Sequence, residues 1–267
     1  MQYLIRFFNA FKERREYKFY SLLLFLAFLS FSACEEETGS IDINFGYEYY
    51  PLFLGKERVY RVDSIVYALE GTRIDTMRGF IRELITEEKM DADGETSFFI
   101  QRSYRKTMQD DWEVQNFFTA RRTEFQAIRQ EENLPLLKLI FPIRADNTWN
   151  PTAFFNTDQS VLIAGDPIEY YKGWEGSIVN LDDFYSNATD TYEKVLTVKQ
   201  ASLENLIELR NVEEKYAPGI GLVYRKLQIL DTQCRKCCDG NTGQCLDIEW
   251  TEKAEQGLII VEELIEL

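Results

Sequence analysis

The chain has 267 residues, 30 basic against 45 acidic side chains, a formal charge of −15 and no histidine. Such a charge opposes nucleic-acid binding, and no basic stripe overrides it. The lack of imidazole excludes Ser-His-Asp and Cys-His nucleophile activation and histidine-ligated zinc, leaving carboxylates, Lys, Tyr or Cys for any catalysis.

The first element is N-terminal. Arg6, Lys12, Arg14, Arg15 and Lys18 stand against Glu13 and Glu16, and no charge follows from Ser21 to Cys34. The apolar run is too short for a bilayer span of about 20 residues, so residues 1–33 read as a signal peptide. "FSAC" at 31–34 resembles a bacterial lipobox, with Phe31 where Leu is commonest. That resemblance implies acylation of Cys34, which becomes the new N-terminus, and attachment to the membrane through its acyl chains. It implies a lipid-anchored protein of the bacterial outer membrane, facing the periplasm or the cell surface. Glu35, Glu36 and Glu37 resemble the export signal of surface-displayed lipoproteins; a solvated tether over 34–44 explains them equally well. Cleavage leaves 25 basic against 43 acidic groups, a net charge of −18 that anionic headgroups repel, so the acyl chains must do the anchoring.

From residue 45 the chain reads as a single β-rich domain to 267, with a subdivision near 142–160 left open. Aromatic residues make up 14% of the chain, which suits half-buried strands. Residues 59–67 carry apolar side chains on both parities, Val59, Ile65 and Tyr67 on one and Tyr60, Val62 and Val66 on the other, as in a strand covered on at least part of both sides. "EGTR" and "DADGE" mark turns, and Asp93-Gly94 is a hairpin signal. "DADGE" does not complete a calcium loop, because its Gly comes fourth rather than sixth. "ENLP" breaks the alternating stretch 112–130, and the chain is expected to be irregular after Phe141. Strand signals return at 166–179, 191–200, 205–217 and 221–233, and "GLIIVEELIEL" closes the chain as a strand. "NLDDFYSN" (180–187) and "QASLENL" (200–206) are the short helix candidates. The fold class is therefore mainly β: an antiparallel meander forming a curved sheet or partly open barrel, with few short helices.

"YYPLFLGKERVYRVDSIVY" (49–67) and "EKYAPGIGLVYRK" (214–226) resemble segments of uncharacterised bacterial lipoproteins; the second also resembles a strand of periplasmic β domains with a curved, lipoprotein-carrier-like sheet. No activity follows from that resemblance. In the second segment Gly219 and Gly221 supply the backbone freedom for a sharp entry into the next strand.

Candidate sites are few. Trp149, Tyr170, Tyr171 and Trp174, in "NTWNP" and "YYKGWEG", are the candidates for a ligand groove; Trp112 and Trp250 read as core. Ser64 and Thr76 resemble acceptors of bacterial O-glycosylation, and "NAT" (187–189) is an N-glycan sequon. The pairs Glu87-Glu88, Asp110-Asp111, Glu131-Glu132 and Asp182-Asp183 read as solvated faces rather than glycosidase carboxylates, which face each other from separate elements.

Cys234, Cys237, Cys238 and Cys245 remain once Cys34 carries lipid. Their spacing lacks the second knuckle of common zinc sites, and an oxidising compartment favours disulfides over metal or redox chemistry. The pairings expected are 234–237 with 238–245, or 234–238 with 237–245, at a hairpin tip. A 237–238 link closes a strained ring and ranks last. No catalytic residue, metal or cofactor is expected. The expected function is non-catalytic binding of an envelope protein, a glycan or an apolar ligand. The rivals are a structural subunit of an envelope or secretion complex, and a carboxylate-based hydrolase of envelope glycans.

Overall fold

The computed structural model describes residues 44–266, apart from Asp91 and Asp93. The segment read as a signal peptide, Cys34 and the acidic residues 35–37 lie outside the described residues. The described residues from Asn44 onward fall in one compact unit.

Six strands follow one another as antiparallel hairpins: β1 (Glu57–Ala68), β2 (Arg73–Met90), β3 (Thr96–Arg105), β4 (Glu113–Arg122), β5 (Gln126–Glu131) and β6 (Leu134–Ile140). Their turns fall where the sequence punctuates. Gly71, at φ 75°, ends the β1–β2 turn; Glu132 and Asn133, at φ 48° and 68°, make the two-residue β5–β6 turn. Pro135 sits in an edge strand, where no partner needs its missing N–H. An irregular stretch then carries the short β7 (Thr148–Trp149) and a small hairpin, β8 (Val161–Ile163) with β9 (Asp166–Ile168).

A second meander follows: β10 (Gly176–Ser186), β11 (Thr191–Glu204), β12 (Glu208–Ala217), β13 (Gly221–Asp231) and β14 (Gln256–Glu266). β14 pairs with β1, so the first and last long strands join the two meanders into one sheet of 12 strands. The sheet rolls until its edges meet. The Leu137 N–H of β6 donates to Pro151 O at 2.9 Å, and Trp149 Nε1 donates to Leu137 O at 2.9 Å. The fold is thus a nearly closed, barrel-like antiparallel sheet.

Both helix candidates are strands. β10 runs through 180–186 with a bulge at Asp182, whose φ is 57°. β11 runs through 200–204 with a register shift between Lys199 and Ala201. An extra residue in a strand breaks its period of two and imitates helical spacing. The PGIG bend carries Gly219 at φ 74° and Gly221 at φ 94°; a Cβ on Gly221 would lie 2.7 Å from an Arg58 nitrogen. The cysteine segment is no hairpin tip: residues 232–255 form a long connection with two helical turns, Arg235–Cys238 and Trp250–Lys253. It packs outside the sheet, where Trp250 and Ala254 cover Tyr67, Leu209 and Leu230.

Candidate functional site

The inner face of the rolled sheet carries a cluster of buried charges beside its apolar core. Charged residues oppose one another directly across strands. Arg58 of β1 faces Glu83 of β2, which faces Arg102 of β3; Glu214 of β12 faces Arg225 of β13, which faces Glu262 of β14. Further bonds cross the interior. Arg129 of β5 donates Nη1 to Glu83 Oε2 at 3.0 Å and Nη2 to Oε1 at 2.5 Å, and Arg102 Nη1 adds a bond of 2.7 Å. Arg102 also reaches Glu262, and Lys138 of β6 reaches Glu214. Glu131, at the end of β5, accepts from Arg225 Nη2 at 3.3 Å and lies 2.9 Å from Arg129 Nε. Tyr216 donates to Glu214 at 2.7 Å, and Gln200 Nε2 donates to the same Oε2 at 2.9 Å.

Each charge has an opposite partner, which makes its burial tolerable. Burial pushes the Glu83 carboxyl up, but Arg129, Arg102 and Arg58 outweigh it and hold it well below the carboxylate range. Burial likewise raises Glu131, and Arg225 with Arg129 brings it down to about 2. Lys138 and Arg225 lower Glu214 against the same desolvation. These carboxylates are locked as anions. A cavity of about 20 Å³ among them has room for one water molecule.

Along the same face the network opens into a cleft of about 360 Å³. Leu227, Leu258 and Ile260 form its apolar floor; the β8–β9 hairpin flanks it, with Tyr170 and Tyr171 beside it. Arg102, Asn116, Glu131, Arg225 and Glu262 supply its polar edge. Tyr170 and Tyr171 have ring centroids 4.7 Å apart, Trp174 lies 5.1 Å from Tyr171, and its Nε1 donates to Tyr170 O. Burial first, then the Glu131 carboxylate, pushes Tyr171 up to about 12, so its hydroxyl keeps its proton.

Of the groove candidates, Tyr170, Tyr171 and Trp174 come together, the first two lining the cleft and Trp174 buried behind them. Trp149 is instead buried in the core, stacked over Gly176, where a Cβ would lie 2.3 Å from its ring. Trp112 lies against Arg82 and Arg105, and Trp250 is buried. Ser64 is 9% exposed within β1, whereas Thr76 is exposed on β2. Asn187 of the sequon caps its own turn, accepting from the N–H of Thr189 and of Asp190 at 2.9 Å each. Asp110-Asp111 and Glu87-Glu88 are exposed; Glu131, read as part of a solvated face, is drawn inward by Arg129 and Arg225. The cysteine pairing also differs from expectation. Cys234 bonds Cys245, a pair found in neither expected pairing, and Cys237 and Cys238 are free thiols. The long connection folds Cys245 back onto Cys234, a closure that spacing does not reveal.

The ionic network had a sequence signal that strand-by-strand reading passes over. Glu83 stands between Ile81 and Ile85, Arg225 between Val223 and Leu227, and Glu262 between Ile260 and Leu264. A charge flanked by apolar residues at i±2 shares the buried parity of its strand.

No protein-family model matches the chain, and no curated protein matches it. Two solved structures do. One, from Bacteroides fragilis NCTC 9343, is described as an exported protein with a YmcC-like fold; at 10% identity and a TM-score of 0.32 it covers 82% of this chain and 99% of its own. The other, from Parabacteroides distasonis ATCC 8503, is described as a lipoprotein; at 9% identity and a TM-score of 0.32 it covers 84% of this chain and 99% of its own.

Proposed function

We propose that this chain is a non-catalytic envelope lipoprotein, anchored through Cys34, that holds a glycan in the cleft on its inner face. The cleft carries the reading. A sugar ring has an apolar C–H face and a hydroxyl edge; Tyr170, Tyr171 and the Leu227–Leu258–Ile260 floor suit the first. Arg102, Asn116 and Glu131 suit the second. Arg102, Glu131, Arg225 and Glu262 are already paired with opposite charges, and Glu132 at the same cleft is exposed to solvent, so a neutral ligand breaks none of the buried pairs. Glu131, held as an anion by Arg225 and Arg129, suits binding rather than the protonated acid that glycoside hydrolysis calls for near neutral pH.

The test is binding of the purified full chain to an array of neutral oligosaccharides and acyl lipids. Saturable glycan binding, lost in Tyr171→Ala with an unchanged circular-dichroism spectrum, is expected. Binding confined to acyl lipids transfers the cleft to an apolar ligand, and binding to neither favours the structural-subunit reading. Cys34→Ala should move the protein from membrane to soluble fraction; unchanged sedimentation overturns the anchor.

A further inference from the structure

The cysteine segment is built in a way that a simple staple does not require. Cys234 and Cys245 are fully buried and bonded to each other, while the Cys237 thiol is exposed. Cys237 Sγ lies 3.4 Å from Cys245 Sγ, and Cys238 Sγ lies 3.1 Å from Cys237 Sγ. The first distance falls within the range of a near-attack arrangement. The surroundings hold it there. Cys234 at φ 56° and Asp239 at φ 48° bracket the Arg235–Cys238 turn, and the Gly240 N–H closes on Cys234 O at 3.0 Å. The buried Glu255 carboxylate accepts from the Gln233 N–H at 2.8 Å and the Lys236 N–H at 3.0 Å. Lys253 Nζ lies 3.4 Å from Cys245 O.

We propose that this cluster is a thiol–disulfide exchange centre in which exposed Cys237 opens the buried Cys234–Cys245 bond. Cys237 releases its proton to solvent, and its thiolate attacks Cys245 Sγ. A Cys237–Cys245 bond forms as the Cys234–Cys245 bond breaks. The electron pair leaves on Cys234 Sγ, which takes up a proton, so nothing is oxidised or reduced overall. The effect is to move the disulfide from two inaccessible sulfurs to one that includes the surface. A dithiol in solution can then attack Cys237 Sγ; it ends as its own disulfide, with Cys237 and Cys245 as thiols. Cys237 is the port through which an otherwise sealed disulfide exchanges electrons with thiols outside.

The experiment uses the full chain purified without reductant. Free thiols are alkylated at pH 8, and the protein is digested without reduction by trypsin and Asp-N, which separate Cys234, the Cys237–Cys238 pair and Cys245. Mass spectrometry should find two isomers, 234–245 and 237–245. Reduction by dithiothreitol should slow about tenfold or more in Cys237→Ser and stay near wild type in Cys238→Ser. Both variants are checked for an unchanged circular-dichroism spectrum; if Cys237→Ser fails that check, the wild-type isomer map decides alone. A single 234–245 isomer overturns the proposal, as does a wild-type reduction rate in Cys237→Ser. So does a chain with no free thiol in the cluster, or one holding zinc on four reduced cysteines.

Discussion

Arg129 of β5 grips Glu83 of β2 through two parallel N–H···O bonds, Nη1 to Oε2 and Nη2 to Oε1, although 46 residues separate them and β3 and β4 lie between their strands in the sheet. The pair spans the interior and ties β5 back onto β2, while Arg102 and Arg58 approach the same carboxylate. Removing the carboxylate leaves three guanidinium groups facing one another in a buried space. Glu83→Ala should therefore lose about 3–5 kcal/mol, the cost of breaking a buried ion pair from one side. Urea unfolding followed by tryptophan fluorescence measures it, and a loss below 1 kcal/mol would show that the network is solvated.

Acid should destabilise this fold early. Glu83, Glu131 and Glu214 are depressed in the folded state, Glu131 to about 2. A depressed carboxylate contributes stability that is complete above its ordinary value near 4.5 and lost as pH falls through the folded value. Unfolding free energy should hold level near pH 6 and fall steadily from about pH 4.5 towards 2. Glu131→Gln should lower the plateau and flatten the fall, a pattern that denaturation series at several pH values would reveal.

Tyr216 anchors Glu214 from two residues away on the same strand, with its hydroxyl 2.7 Å from Oε2. Tyr216→Phe keeps the ring and removes one donor to a buried charge. A loss of about 1.5–3 kcal/mol is expected, in the range for a bond to a charged group. Thermal unfolding by calorimetry is the direct measurement.

Gly257 opens β14 at φ 112°, and a Cβ there would stand 1.9 Å from Ile229 O in β13. The methyl of Gly257→Ala would press on the backbone at the strand that joins the two meanders. A destabilisation of about 3 kcal/mol or more is expected, read as a lower denaturation midpoint or loss of soluble protein.

Cys234→Ser deletes a disulfide across a sequence separation of 11, worth about 2–3 kcal/mol. With Cys237 Sγ beside Cys245, the single variant should recover part of this through a 237–245 bond. Cys234→Ser with Cys237→Ser should lose the full amount. Equal losses in the two proteins, compared by urea unfolding without reductant, would show that Cys237 does not take over.

Some of this was legible in the chain. Alternation and turn residues marked the long strands, and Gly219 and Gly221 marked the bend before β13, because backbone sterics act locally. The loop with Tyr170, Tyr171 and Trp174 stood out as aromatics between turn residues. Trp149, chosen on the same grounds, went to the core instead, because Gly176 opposite it left room for an indole. The spacing at 180–187 and 200–206 imitates a helix because bulges break strand parity, and a bulge is fixed by the neighbouring strand.

The sequence by itself determined the chemistry available: no imidazole, a β-forming alphabet, an acidic surface and four cysteines in twelve residues. Only the tertiary structure decided which charges face inward, that β14 closes on β1, and that Cys245 rather than a nearer cysteine bonds Cys234. The reason is register. Within one strand the alternation of faces is local, but Arg129 meets Glu83, and Arg225 meets Glu131, only when strands distant in the chain align to the residue. A slip of one position would turn every one of those side chains to the other face.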